Sequence, residues 1–207
     1  QAITSGVHKE GYALFPIMPY ESYGTMTESD AMAVVSYLRT LEPKESPAYP
    51  RRLSVFMEKK ASSRVSAPEW SDPPGLNDVL AKGKYLASAA GCVGGHTPQL
   101  DGEPDADLLF SGGVEFKMAM GTAISANITP AEGSGLGYWD EADFLDKFRA
   151  YRSEDALRRE AGPSDPNTVM PWFAYAGMTD EDLSAIWVYL SAQSPHENAV
   201  AETWRPH

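Results

Sequence analysis

Three observations predict a mainly α fold built from two homologous units, the first of them incomplete. An internal repeat comes first: Met18-Pro19-Tyr20-Glu21-Ser22-Tyr23 returns as Met170-Pro171-Trp172-Phe173-Ala174-Tyr175, a spacing of 152 positions kept without a gap through Met26/Met178, Thr27/Thr179, Asp30/Asp182, Ala33/Ala185, Tyr37/Tyr189 and Leu38/Leu190. Next, each copy runs into a helix-start signal, a threonine followed three residues later by an acid, Thr27 with Asp30 and Thr179 with Asp182. Finally, apolar residues behind those signals recur at helical spacing, and no stretch shows the alternation of a strand.

The elements follow in chain order. Behind Thr27, the residues Val34, Val35, Leu38 and Leu41 form one helical stripe, so an amphipathic helix closes the first unit. Its face requires cover, and burial of Val34, Val35 and Leu38 is expected against upstream sequence, the second unit or a partner. Prolines 43, 47, 50, 73 and 74 mark the connection between units. A second helix is predicted from Leu76, Val79, Leu80, Gly83, Leu86, Ala87 and Ala90, with Gly91-Cys92 at its C-terminal end. Turn-rich sequence follows at Asn127-Ile128-Thr129-Pro130 and through Gly133, Gly135 and Gly137. A helix then covers about 141–151, and Leu183, Ile186, Trp187 and Leu190 mark the closing helix. The resulting divisions are residues 1–41, a connection over 42–71, a second domain over 72–195 and a tail over 196–207.

Composition excludes several classes of function. The 207 residues are 43% hydrophobic, enough for one sizeable core or two small ones. Lysine and arginine total 17 against 29 aspartates and glutamates, a net charge of −12 that repels nucleic acid and favours partners with basic docking faces. No apolar run reaches the roughly 18 residues of a membrane span, and residues 1–25 lack the layout of a signal peptide. A single cysteine, Cys92, excludes an internal disulfide and a C-x-x-C zinc knuckle. Gly133-Ser134-Gly135-Leu136-Gly137 lacks dinucleotide-loop spacing, and no orienting residue supports a Cys92/His96 nucleophilic dyad.

Cys92-Val93-Gly94-Gly95-His96 carries the chemistry. With cysteine in place of Gly95 it would be C-x-x-C-H, the attachment signature of a c-type haem. Around it stand Gly83-Lys84-Tyr85-Leu86-Ala87, His96-Thr97-Pro98, Asn127-Ile128-Thr129-Pro130, Gly135-Leu136-Gly137-Tyr138-Trp139, Met170-Pro171-Trp172 and Asp182 through Leu190. Together these resemble the dihaem c-type cytochromes of bacterial periplasmic electron transfer, including the cytochrome subunits that accompany membrane-bound alcohol and sugar dehydrogenases. The resemblance covers nearly all of the second unit, but only the closing half of the first, from Phe15 to Leu41. A first attachment motif would fall upstream of Gln1.

That resemblance implies cytochrome c-like helical domains, a periplasmic location, and electron transfer with a redox protein or with a dehydrogenase or membrane complex as partner. His96 and Met170 would be the axial ligands of a haem c in the second domain, a pairing suited to electron transfer. Cys92 would supply one thioether, and Asn127 and Trp172 would line the cofactor. Met18 would be the ligand of a first haem, which exists only if upstream sequence or a partner supplies its motif. From the residues alone, Met118 and Met120 are alternative distal ligands, Trp139, Trp172 and Tyr175 are core aromatics, and His8, His196 and His207 are solvated. The altered motif leaves open a haem held by one thioether, a haem-less structural or interaction subunit of a respiratory or photosynthetic complex, and a dihaem cytochrome whose sequence is incomplete here.

Overall fold

The computed structural model describes residues 1–15, 18–47, 51–75, 77–158 and 168–206. Leu76 and His207 lie outside the described residues. The chain divides into two compact units, Gln1–Pro73 with Ser88–Ala90, and Pro74–Ala87 with Gly91–His207.

The first unit begins with the single-turn helix α1 (Ala2–Ser5), which packs on a second single turn, α2 (Tyr20–Tyr23). Tyr20 is fully buried, and its ring lies so close to Gly6 that a Cβ there would come within 2.6 Å of it; Gly6 also has φ 67°. Helix α3 (Glu28–Thr40) starts where the sequence places it, with the Thr27 side chain accepting from Asp30 N at 3.0 Å. Such a cap is worth about 1 kcal/mol. Only Ala31 of α3 is buried, whereas Val34 is 41% and Leu38 48% exposed and Val35 is half-buried, so the described residues leave most of the apolar stripe uncovered and its expected cover falls to upstream sequence or a partner. Within the proline-marked connection, helix α4 (Val55–Ser63) is capped by Ser54 and buries Ala61. Arg51 stacks on Tyr12 at 4.8 Å and donates to Ala13 O at 2.6 Å.

The second unit holds a core of Ala87, Phe110, Phe144, Leu145, Phe148, Leu183, Ile186 and Leu190. Helix α5 (Val79–Ala89) contributes to it through Gly83 and Ala87. Val79 and Leu80, expected on the buried face, are about half exposed, since the contact with the core begins one turn later at Gly83. A further correction concerns the cysteine motif. It is not the end of α5 but a separate short helix, α6 (Cys92–His96), because Gly91 adopts a left-handed conformation (φ 70°) that ends one helix and turns the chain into the next.

Short strands appear where none was expected. Strands β1 (Gln99–Leu100) and β2 (Glu103–Pro104) form a minimal hairpin after α6. Strands β3 (Glu115–Met118) and β4 (Gly121–Ile124) pair antiparallel, and β5 (Trp204–Pro206), from the tail, pairs on the other edge of β4. β3 does alternate, with Glu115 and Lys117 exposed and Phe116 and Met118 half-buried, over four residues only, and the central strand β4 is held by a partner some 80 residues away in sequence. The three-stranded sheet is small, and the described residues remain mainly helical.

Helix α7 (Glu141–Arg149) carries a reciprocal cap: Asp140 accepts from Asp143 N at 2.9 Å and Asp143 accepts from Asp140 N at 3.1 Å. Its buried stripe is Phe144, Leu145 and Phe148. Two single turns follow, α8 (Glu154–Leu157) and α9 (Trp172–Tyr175), before the closing helix α10 (Asp180–Ser191). Leu183, Ile186 and Leu190 of α10 are buried as expected. The geometry of α9 and α10 repeats that of α2 and α3 at the same offset of 152. Pro19 and Pro171 have φ −79° and −81°, Tyr20 N and Trp172 N donate to Met18 O and Met170 O at 2.8 Å, and Thr179 caps α10 by accepting from Asp182 N at 3.1 Å.

A charged clamp secures the start of α10. Asp180 pairs with Arg149 at 2.6 Å and with Arg152 at 2.8 Å, and Arg152 also donates to Ala176 O at 2.8 Å and Met178 O at 3.0 Å. Hydrogen bonding to Arg149, and then to Arg152, holds the Asp180 carboxyl below its usual range. A lowered carboxyl pKa stabilises the fold above the unfolded value of about 4, and that contribution is lost as pH falls through the folded pKa. Urea midpoints of the parent and Asp180→Asn should therefore differ at pH 7 and converge below about pH 4. A constant difference across that range would show that the clamp acts through packing alone.

Candidate functional site

His96 ends α6 and is oriented from the next loop. Its Nδ1 lies 2.8 Å from the backbone oxygen of Ala126. A carbonyl only accepts, so Nδ1 carries the proton, and Nε2 presents a lone pair with no hydrogen-bond partner among the described residues. Burial lowers the imidazole pKa below its ordinary value, and the bond to Ala126 partly opposes this. At neutral pH His96 is thus a neutral imidazole with its Nε2 available, the form that binds a metal.

The backbone around His96 is tightly built. Its carbonyl accepts from Gly112 N at 2.8 Å, and Thr97, fully buried, accepts from Phe110 N through Oγ1 at 3.1 Å. Phe110 is fully buried and has φ 62°, a rare conformation for a bulky residue. Gly112 (φ 74°) crosses the Ala126–Asn127 peptide so closely that a Cβ would sit 2.4 Å from Ala126 C. Only glycine meets both demands at that position.

Cys92 occupies the first turn of α6 and packs, half-buried, against the core together with Met170 and Trp172. Burial pushes its thiol pKa up to about 12, so the free thiol is protonated and unreactive toward metal or disulfide. Gly94 and Gly95 face open space, for a Cβ on either would meet nothing within 4 Å. Cys92, Met170 and Trp172 are each partly buried against the core of the second unit. Trp172 stacks on Tyr151 with centroids 5.1 Å apart and planes 8° apart, lies 5.4 Å from Phe148, and has Lys147 Nζ 5.7 Å from its ring centroid.

Asn127 is 3% exposed and its amide is saturated within the protein. It donates to His196 O at 2.7 Å and Ser134 Oγ at 3.1 Å, and accepts from Thr129 N at 2.9 Å and Thr129 Oγ1 at 2.7 Å. It shapes the loop next to Ala126. Met18 sits in the first unit and is 42% exposed. Met118 ends β3 and Met120 is 54% exposed in the hairpin turn, outside the core cluster that includes Met170. His8 is half-buried and stacks on Tyr12 at 4.2 Å, and His196 is half-buried in the tail; both were expected to be solvated. Cavities of about 370 Å³ beneath the tail at Asn198–Glu202 and about 510 Å³ between Thr4 and Trp70 include neither Cys92, His96 nor Met170. Among the described residues no group of three or more His, Cys, Asp or Glu is placed to hold a metal ion.

The donor types present are those a haem takes: a neutral imidazole with its Nε2 unbonded among the described residues, a thioether and a thiol that each pack on the core, and open space at Gly95. Comparison with known proteins points the same way. Over 208 aligned residues the chain is 27% identical to the alcohol dehydrogenase (quinone) cytochrome c subunit of Gluconacetobacter polyoxogenes, covering 94% of this chain and 43% of that protein. It is 27% identical to the fructose dehydrogenase cytochrome subunit of Gluconobacter japonicus, across 92% of this chain and 39% of the relative. A diheme cytochrome c-type protein of Cereibacter sphaeroides is 28% identical over 70% of this chain and 47% of its own. The homologues of this chain are thus cytochrome c subunits of alcohol, fructose and gluconate dehydrogenases and a diheme cytochrome c-type protein. The chain spans less than half the length of these cytochrome relatives, and no family model matches it. Among the described residues, no helix is long and apolar enough to cross a membrane.

Sequence reasoning missed Ala126 and Gly112. Ala126 acts through a backbone oxygen that any residue could present, so no side-chain pattern marks it. The Gly112-Gly113 pair was the available sign that backbones approach closely there.

Proposed function

We propose that this chain is an electron-transfer cytochrome c-type subunit that holds one haem in its second unit, with His96 and Met170 as axial ligands and Cys92 as the sole covalent attachment. The observation that carries the reading is the bond from His96 Nδ1 to Ala126 O, which fixes the ring and leaves Nε2 for iron. When bound, the haem supplies a one-electron couple, and a His/Met pair raises its potential. The protein's part is to hold both ligands in place, exclude water with the Trp172 and Phe148 cluster, and orient His96.

Cys92 would attach by adding its S–H across a vinyl group, with sulfur on one carbon and hydrogen on the other, so no oxidant is consumed. The repeated turn at Met18 supports reading residues 1–41 as the C-terminal part of a first cytochrome c-like domain. Met18 would ligate a haem there only if upstream sequence or a partner supplied the histidine. The domain limits 1–41, 42–71, 72–195 and 196–207, a periplasmic location and a dehydrogenase partner belong to the same proposal. A haem-less structural or interaction subunit of a larger respiratory or photosynthetic complex is the alternative, favoured by Gly95 standing where the attachment motif takes its second cysteine.

Visible spectra of oxidised and reduced protein, followed by intact mass after denaturation, test the proposal. A reducible haem whose mass stays with the denatured chain is the expected result. In Cys92→Ala the haem should leave on denaturation, and adding Gly95→Cys to that variant should restore retention, since a side chain at 95 has room. Protein matured with haem available yet lacking any haem band would establish the haem-less reading.

A further inference from the structure

We infer that the C-terminal segment 196–206 is a strap that positions His96, fixing its tautomer and ring orientation from outside the helix that carries it. The strap reaches His96 by two routes. Through the first, His196 O accepts from the Asn127 amide at 2.7 Å, and His196 N donates to Thr129 Oγ1 at 3.2 Å. These bonds bracket the loop whose preceding residue, Ala126, presents its carbonyl to His96 Nδ1.

Along the second route Asn198 Nδ2 donates to Ser111 O at 3.0 Å. Ser111 is followed by Gly112, whose N–H holds the carbonyl of His96 and whose Cα lies against Ala126. Ser134 Oγ joins the routes, accepting from Asn127 and from Asn198 N at 3.0 Å while donating to Glu197 at 3.0 Å. Farther along, Thr203 O accepts from Ile124 N at 2.9 Å, Arg205 pairs with Glu115, and β5 closes the sheet beside Gly121, where the Trp204 ring leaves no room for a Cβ.

Asn127 is accordingly a positioning residue. With two donations and two acceptances made inside the protein, it acts on a cofactor only through Ala126 and His96. Only the effect on a bound haem rests on the function proposed above; the hold on the imidazole does not.

Two variants of the full chain test the strap: Asn198→Ala, and a chain ending at Pro195. In haem-free protein, nitrogen NMR should find His96 protonated on Nδ1 in the parent and partly on Nε2 in both variants. Exchange of the Gly112 amide should quicken by about tenfold, while the amides of Leu183–Leu190 keep their protection. In haem-loaded protein the reduction potential should rise, because a weaker Nδ1–H bond makes the imidazole less basic and the ferric state less favoured. An unchanged tautomer, or exchange quickened equally in α10, would overturn the inference and leave the tail a general stabiliser. If the shortened chain does not fold, Asn198→Ala decides. A tautomer shift in a chain that takes up no haem would uphold the strap and remove the proposed function.

Discussion

Gly83→Ala should cost the second unit roughly 3 kcal/mol, seen as a fall of about 10 °C in the melting temperature. A Cβ at position 83 would lie 1.9 Å from Ala185 O, 2.6 Å from Ala185 C and 2.8 Å from Tyr189 Cβ. The first two are backbone atoms of α10, so no rotamer change relieves the contact and α5 must move away from α10. Leu183, Ile186 and Leu190 would then lose part of their cover, since Ala87, on the same face of α5, belongs to that core. Ordinary glycine-to-alanine changes in helix interiors stabilise by up to about 1 kcal/mol, so the sign as well as the size is diagnostic. A neutral or stabilising result in thermal unfolding would show that α5 and α10 are farther apart.

Gly112→Ala should be comparably damaging and should act on the site as well. Two penalties combine. A residue with a Cβ at φ 74° costs about 1 kcal/mol, and the overlap with the Ala126–Asn127 peptide adds the strain of moving a backbone that is bonded on both sides. The loss expected in urea unfolding is about 3 kcal/mol. Because the same shift displaces the carbonyl that fixes His96, surviving protein should also bind haem more weakly, whereas Gly83→Ala protein that remains folded should bind it normally. Equal haem loss in both would trace the defect to global instability.

Much of the helical skeleton is legible in the sequence because its causes are local. Thr27, Asp140 and Thr179 cap helices by bonds to residues three positions on, and the stripe at Leu183, Ile186 and Leu190 has its own period. What escaped depends on distant partners. The alternation Glu115-Phe116-Lys117-Met118 is only four residues long and went unread, and β4 lies between β3 and the distant Trp204–Pro206. Helix α4, capped by Ser54, lies within the stretch read from its prolines as a connection. The stripe of α3 shows the limit of periodicity, which reveals a face without revealing what covers it. At the site, Cys92, His96 and Met170 stand out as residue types in a pattern, whereas the oxygen that orients His96 has no letter of its own. Asn127 was picked out through resemblance as a cofactor contact, and the structure shows its amide wholly occupied in shaping a loop.

The tail's contacts belong to a wider pattern in how this chain closes. Bonds from Asn198 to Ser134 and Ser111 close loops of 64 and 87 residues, and the Arg205–Glu115 pair closes one of 90, whereas each helix cap closes only three. The core is no more local, since Gly83 lies against Ala185 across 102 positions. Contacts of such separation carry the largest loop-closure entropy. Caps can form early and alone, whereas the helical core and the hold on His96 both wait for distant parts of the second unit to meet, so the orientation of one imidazole is tied to the closure of the whole unit.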